Sequence, residues 1–197
     1  MEAAELRRTL EISIEDDADD GRTYLGMSQI GRCARALYNE LTYGRRRMRG
    51  AGIRLCHEGK VHEADILRRL KAQGVQLTNC NRELVADFDD RFKGHIDGEI
   101  DGDLLELKSV GFRDHLEDVR RRGARMKDRW QVQAYMAFGG YERALIVYKV
   151  RADGDIWIVE VRRDEVMIEQ LRRKAARVLD CVDHDSPPRC ECGRCRA

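Results

Sequence analysis

Apolar and polar positions along this chain follow two periods, one helical and one alternating, and the change between them organises the sequence. The residues Ile30, Cys33, Ala34, Leu37 and Leu41 share one helical face, which predicts an amphipathic helix with Ser28 placed to cap it. A second helix is expected over roughly Leu55 to Gln73, stopped by Gly74. From Arg82 the period becomes two, and strands are expected at 82–88, 92–100 and 103–110, with Asp101-Gly102 as the turn between the last two. Helices near 114–122 and 127–138, strands near 143–151 and 155–163, and a helix near 164–181 complete the pattern. Pro187-Pro188 then releases a short cysteine-rich tail, and the chain has no internal repeat. This order predicts an α/β fold whose mixed central sheet carries the 92–110 hairpin between helices.

A two-residue Asp-Gly turn favours a tight type I′ hairpin, which sets Ile100 opposite Asp103 and, counting outward, Asp97 opposite Glu106. One face then carries His95, Asp97, Glu99, Glu106 and Lys108, and the other Ile96, Ile100, Leu105 and Leu107. Two carboxylates held ~4 Å apart repel by up to ~4 kcal/mol at an effective dielectric of 20, which a cation between them would relieve. Oxygen ligands suit Mg²⁺ or Mn²⁺, and Lys108 is placed to orient a water or stabilise charge on a phosphate. A solvent-facing hairpin whose lysine balances its glutamate fits the same pattern, and the hairpin alone leaves both readings open.

With 197 residues the chain can bury one proper core, and it reads as one domain with appendages. Charged residues make up 37% of it and mean hydropathy is -0.62, yet the aliphatic residues come in periodic runs, so a folded soluble protein is expected. No apolar run approaches the ~20 residues that span a bilayer and no leader pattern opens the chain, so a cytoplasmic location is expected. In that setting seven cysteines favour metal or cluster ligation over disulfides. The net charge of +1 makes no global case for nucleic acid, so that case rests on local clusters. Arg45, Arg46, Arg47 and Arg49 read as a basic loop, while Glu15, Asp16, Asp17, Asp19 and Asp20 read as a solvated lead-in. Arg113, Arg120, Arg121, Arg122, Arg125, Lys127 and Arg129 make either a phosphate track or a solvated helix face. His62 lies on the inward stripe of its helix with Ile66 and Leu70, where it would either approach a metal or be satisfied in the core. Gln131 and Tyr135, four apart, share a face that could address a phosphate or a base.

Taken in order, Gly59 to Glu63, Gly94-His95-Ile96-Asp97-Gly98, Glu106-Leu107-Lys108 and Gln131 to Tyr135 resemble the PD-(D/E)XK nuclease superfamily, in its RecB-like branch. The stretch from Ser28 to Tyr38 resembles the opening motif of the CRISPR-associated RecB-like exonucleases, their phage-encoded relatives and AddB nuclease domains. The resemblance implies a restriction-endonuclease-like core. It also implies a metal held by His62, Asp97, Glu106 and the main-chain carbonyl of Leu107, with the adjacent Glu63 as another candidate ligand. Lys108 would be catalytic with Asp97 and Glu106, and Gln131, Tyr135, Arg122 and Arg125 would meet DNA or support the site. Many such relatives hold a [4Fe–4S] cluster, and Cys33 with Cys190, Cys192 and Cys195 resembles that layout. Cys181 could replace one member, and four thiolates suit zinc as well.

These implications give an acidic lead-in over 1–25, a nuclease domain over 26–185, and a tail over 186–197 that packs back on the first helix. The expected function is a metal-dependent deoxyribonuclease acting on DNA ends, single- or double-stranded, in recombination, repair or spacer processing. Recombination or CRISPR adaptation proteins would be its partners, and a phage-encoded copy would work in the host cytoplasm. A non-catalytic DNA-binding or adaptor protein of the same fold is the alternative, and a zinc-stabilised binding module is a third.

Overall fold

A computed structural model describes residues 3–5, 23–44, 50–193 and 195. The acidic segment 15–20 and the basic loop 45–49 lie outside the described residues. Strand β1 (Leu25–Gly26) and a 3₁₀ turn (Met27–Gln29) lead to helices α1 (Ala34–Tyr43) and α2 (Ala51–Ala72). The strands β2 (Leu77–Thr78), β3 (Glu83–Val85), β4 (Phe92–His95), β5 (Gly98–Ile100) and β6 (Asp103–Val110) follow. Helices α3 (Arg113–Arg122) and α4 (Met126–Gly139), strands β7 (Arg143–Val150) and β8 (Ile156–Arg162), and helix α5 (Glu165–Asp183) end the fold.

Five strands form one sheet in the order β2-β5-β6-β7-β8, and three form another in the order β1-β4-β3. Strands β6 and β7 run parallel, which requires a crossover, and α3 with α4 supply it. The five-stranded sheet is covered on both faces. Leu104, Val110, Ile146 and Tyr148 face the main core with residues of α3, α4 and α5, such as Leu116, Val132 and Leu171. On the other face Leu105, Leu107 and Val147 pack against Ile66, Leu67 and Leu70 of α2. Full burial of each such side chain contributes about 1.5–3 kcal/mol, so the alternating aliphatics of β6 fasten it from both sides. Glu106 of β6 therefore lies within a layered interior and not on a half-exposed hairpin.

The Asp101-Gly102 turn has φ of 51° and 85°, the positive values a type I′ turn needs. Ile100 pairs with Asp103, as expected from the turn. The expected strand 92–100 is broken, however. Residues 92–95 pair with β1 and β3 in the small sheet, the chain turns at Ile96–Asp97, and 98–100 joins the large one. His95 consequently sits beside Glu83 and away from the hairpin face assigned to it. Glu99 also departs from that face in function: it is buried and accepts from Tyr141 Oη and from Asn79 Nδ2 at 2.8 Å. Ser28 lies within the 3₁₀ turn, and Cys33 takes the N-cap position of α1. The two-residue strands β1 and β2 are further additions. Helix α1 packs on α5, and Tyr38 Oη donates to Asp185 Oδ1 at 2.7 Å.

Candidate active site

Glu106 occupies the middle strand of the large sheet, on the face covered by α4, and is 2% exposed. Burial removes water from the carboxylate, so side chains must replace it. Gln131 Nε2 donates to Glu106 Oε1 at 2.7 Å, and Lys108 Nζ lies 2.5 Å from the same oxygen. Lys108 Nζ also donates to Gln131 Oε1 at 2.9 Å, closing a three-residue ring. Tyr135, one helical turn along α4, accepts from Gln131 Nε2 at 3.2 Å. Gly94 permits the strand above to come this close, since a Cβ there would stand 2.9 Å from Tyr135 Cε1 and 3.1 Å from Met27 Cβ. The second oxygen of Glu106, Oε2, is buried without a hydrogen-bond partner among the described residues.

Asp97 reaches this place from the turn between β4 and β5. Its Oδ2 accepts the Leu107 main-chain N–H at 2.6 Å, which fixes the carboxylate one step beyond the last ladder pair, Gly98 with Leu105. From α2 it is Glu63 that faces Asp97 and Lys108. His62 Nε2 lies 4.0 Å from a Glu58 oxygen, and the charges that act on it most are those of Lys149, Glu58, Arg151 and Asp65. Burial, with Lys149 next, pushes the His62 imidazole below its ordinary value. Burial and then Asp97 push Glu63 up to about 7, with Lys108 opposing. Burial pushes Glu106 above the usual carboxylate range, against the pull of Lys108. Asp97 is likewise raised by burial, against the Leu107 N–H. Burial works against the charge of Lys108, but the Glu106 carboxylate holds its ammonium above the usual range.

Of the basic run, Arg122 pairs with Asp118 at 3.0 Å, Arg113 with Asp153 at 2.8 Å and Arg120 with Glu117 at 2.6 Å. Arg125 Nε donates to the buried Asp128 at 2.7 Å. Sequence reasoning passed over Asp128, although the stripe Arg125, Asp128, Gln131 and Tyr135 at three- and four-residue steps was a signal for it. The Sγ atoms of Cys33, Cys190, Cys192 and Cys195 come together within 4.8 Å of one another. Cys181 is outside this group, and all seven cysteines are free. Although burial works against it, N–H groups of Glu191, Arg35 and Ala36 hold the Cys33 thiol down at about 6. The Cys195 thiol, beside Cys192, is raised to about 12.

A carboxyl group that is raised on folding keeps a proton that the unfolded chain has already lost. For Glu63 this window runs from its ordinary value of 4.5 to about 7, so its contribution to stability is complete below the window and is lost as pH rises through it. The thermal midpoint of chelator-treated protein should therefore fall more steeply between about pH 5 and about pH 7 than that of a Glu63→Gln variant. Calorimetry checks this, and parallel slopes would contradict it.

No protein-family profile matches this sequence, and no curated protein aligns with it. Solved structures do resemble it. The alkaline exonuclease LHK-Exo from Laribacter hongkongensis superposes with a TM-score of 0.67 over 87% of this chain and 94% of that one, at 16% identity. LHK-Exo in complex with dAMP gives a TM-score of 0.65 over 84% and 90%, also at 16% identity. A phage-related exonuclease from Haemophilus somnus gives 0.59 over 82% and 94%, at 13% identity. No helix among the described residues is long and apolar enough to cross a membrane. The chain has the mixed α/β fold of these exonuclease structures, with mixed sheets flanked by helices.

Proposed function

We propose that this protein is a metal-dependent deoxyribonuclease that hydrolyses phosphodiester bonds at DNA ends, with Asp97, Glu106 and Lys108 as its catalytic set. The observation that carries this reading is Glu106 Oε2, a buried carboxylate oxygen with no partner among the described residues, beside two further acids raised by burial. Buried carboxylate oxygens of this kind suit a hard divalent cation, Mg²⁺ or Mn²⁺. Asp97, Glu106 and the Leu107 carbonyl would hold it, with Glu63 in the place that the resemblance offered to His62. When bound, such an ion supplies an activated water and neutralises charge on the phosphate. Lys108, kept charged beside Glu106, is placed to donate to a phosphate oxygen, and Gln131 keeps it and Glu106 oriented. LHK-Exo binds dAMP, which supports extending deoxynucleotide chemistry to this site.

The test is degradation of end-labelled linear and circular DNA with Mg²⁺ or Mn²⁺. Linear DNA should be lost, while Glu106→Ala and Lys108→Ala should fall by about 10²–10³-fold or more. Glu63→Gln should behave like them, whereas His62→Ala should retain most activity. A fully active Lys108→Ala protein sinks the assignment, and DNA binding without cleavage by the native protein would favour the adaptor reading.

We also infer that Cys33, Cys190, Cys192 and Cys195 hold a [4Fe–4S] cluster, with zinc as the other occupant that four thiolates accept. A thiol as acidic as Cys33 suits either. Anaerobically purified protein should contain iron and sulfide, and Cys192→Ala should lower the thermal midpoint by about 4–10 °C. Zinc alone would identify the other occupant, and an unchanged midpoint with neither metal would contradict the inference.

A further inference from the structure

Asp128 is a buried acid that hydrolysis, as described above, does not use. It sits in the first turn of α4 at 2% exposure, and a carboxylate so placed is unfavourable unless it is paired. Both of its bonds fall on Oδ2: Arg125 Nε donates at 2.7 Å and Tyr148 Oη at 2.8 Å. The Tyr148 hydroxyl in turn accepts the Arg125 main-chain N–H at 3.3 Å, and the Arg125 Cζ lies 5.2 Å over the Tyr148 ring. Backbone and side chain of Arg125 are thus both fixed.

This unit adjoins the carboxylates. Tyr148 pairs in register with Lys108 across the parallel β6–β7 ladder, and the charge of Asp128 acts on both Lys108 and Glu106. Arg113 and Arg120 spend their Nη groups on acids, but those of Arg125 make no bond among the described residues. Its side chain is 28% exposed, so this edge is open to a ligand. An arginine held through Nε offers both Nη groups in the fork geometry that matches phosphate oxygens. Lys127 adds a second cation within electrostatic reach of Arg125 and Lys108.

We propose that Asp128 is a positioning residue that, together with Tyr148, presets Arg125 to hold a DNA backbone phosphate next to the one being cut. The inference rests on the nuclease reading above. Because Asp128 acts through Arg125, losing either should have one and the same effect.

The experiment compares native protein, Arg125→Ala, Asp128→Asn, Tyr148→Phe and the Arg125→Ala/Asp128→Asn double variant on end-labelled linear DNA across a salt series. Arg125→Ala and Asp128→Asn should each raise KM about tenfold or more, lower kcat by less, and flatten the salt dependence by about one phosphate contact. The double variant should be no worse than Arg125→Ala. A native KM and salt slope in Asp128→Asn, or multiplying effects in the double variant, overturns the proposal. Should Asp128→Asn fail to fold, Tyr148→Phe takes its place: a raised KM with a flattened slope supports the proposal and native values overturn it. If the native protein does not cleave at all, the nuclease reading is what has failed. DNA affinity measured in Ca²⁺ then decides the inference by the same comparison of variants.

Discussion

A carboxylate on the middle strand of a sheet covered on both faces constrains everything near it. Water cannot solvate Glu106, so its oxygens are answered by side chains or left unanswered. Among the described residues Oε1 is answered twice, by Lys108 and Gln131, and Oε2 not at all. Lys108 comes from the same strand two residues on, and Gln131 from the helix that closes the crossover between β6 and β7. One stripe of α4 therefore serves the site along its length: Tyr135 against Gly94, Gln131 at the carboxylate, and Asp128 with Arg125 at the helix start. An acid left under-solvated in this way is poorly suited to stability and well suited to a cation.

The other half of the site depends on a change of sheet. Had β4 and β5 been one strand, Asp97 would pair in the ladder with Glu106. Instead the chain leaves the small sheet at His95 and enters the large one at Gly98, and Asp97 is free to take the Leu107 N–H. The opening segment is tied to the same region. Gly31 lies against the first turn of α4, where a Cβ would stand 3.2 Å from Lys127 Cα, and Cys33 follows two residues later. Whatever gathers the four cysteines also holds that segment against the helix that carries Gln131.

Much of this was legible in the sequence because some signals are local. The Asp101-Gly102 turn demands positive φ at both positions, and that fixed the hairpin register. The break at Ile96–Asp97 was not legible, because alternation of apolar and polar residues continues unbroken across it while the hydrogen-bond partners change. Glu99 looked like a site residue for the same reason, and only the fold shows Tyr141 and Asn79 waiting for it. Neighbouring helical positions point about 100° apart, so the stripe of Ile66 and Leu70 could not say whether His62 or Glu63 turns toward the hairpin. That choice depends on where α2 crosses the sheet, with Lys149 bonded to Asp65 at 2.8 Å on the far side. Asp128 was lost among the arginines around it, since a charge run reads as surface until a helix buries one member.

The most direct measurement is anomalous diffraction from crystals soaked in Mn²⁺. A single strong peak, or a close pair, is expected, bound by Glu106 Oε2 and Asp97 with Glu63 beside it. Crystals in which Mn²⁺ binds elsewhere, or in which Oε2 stays empty while Glu106 remains locked to Lys108 and Gln131, would contradict that expectation.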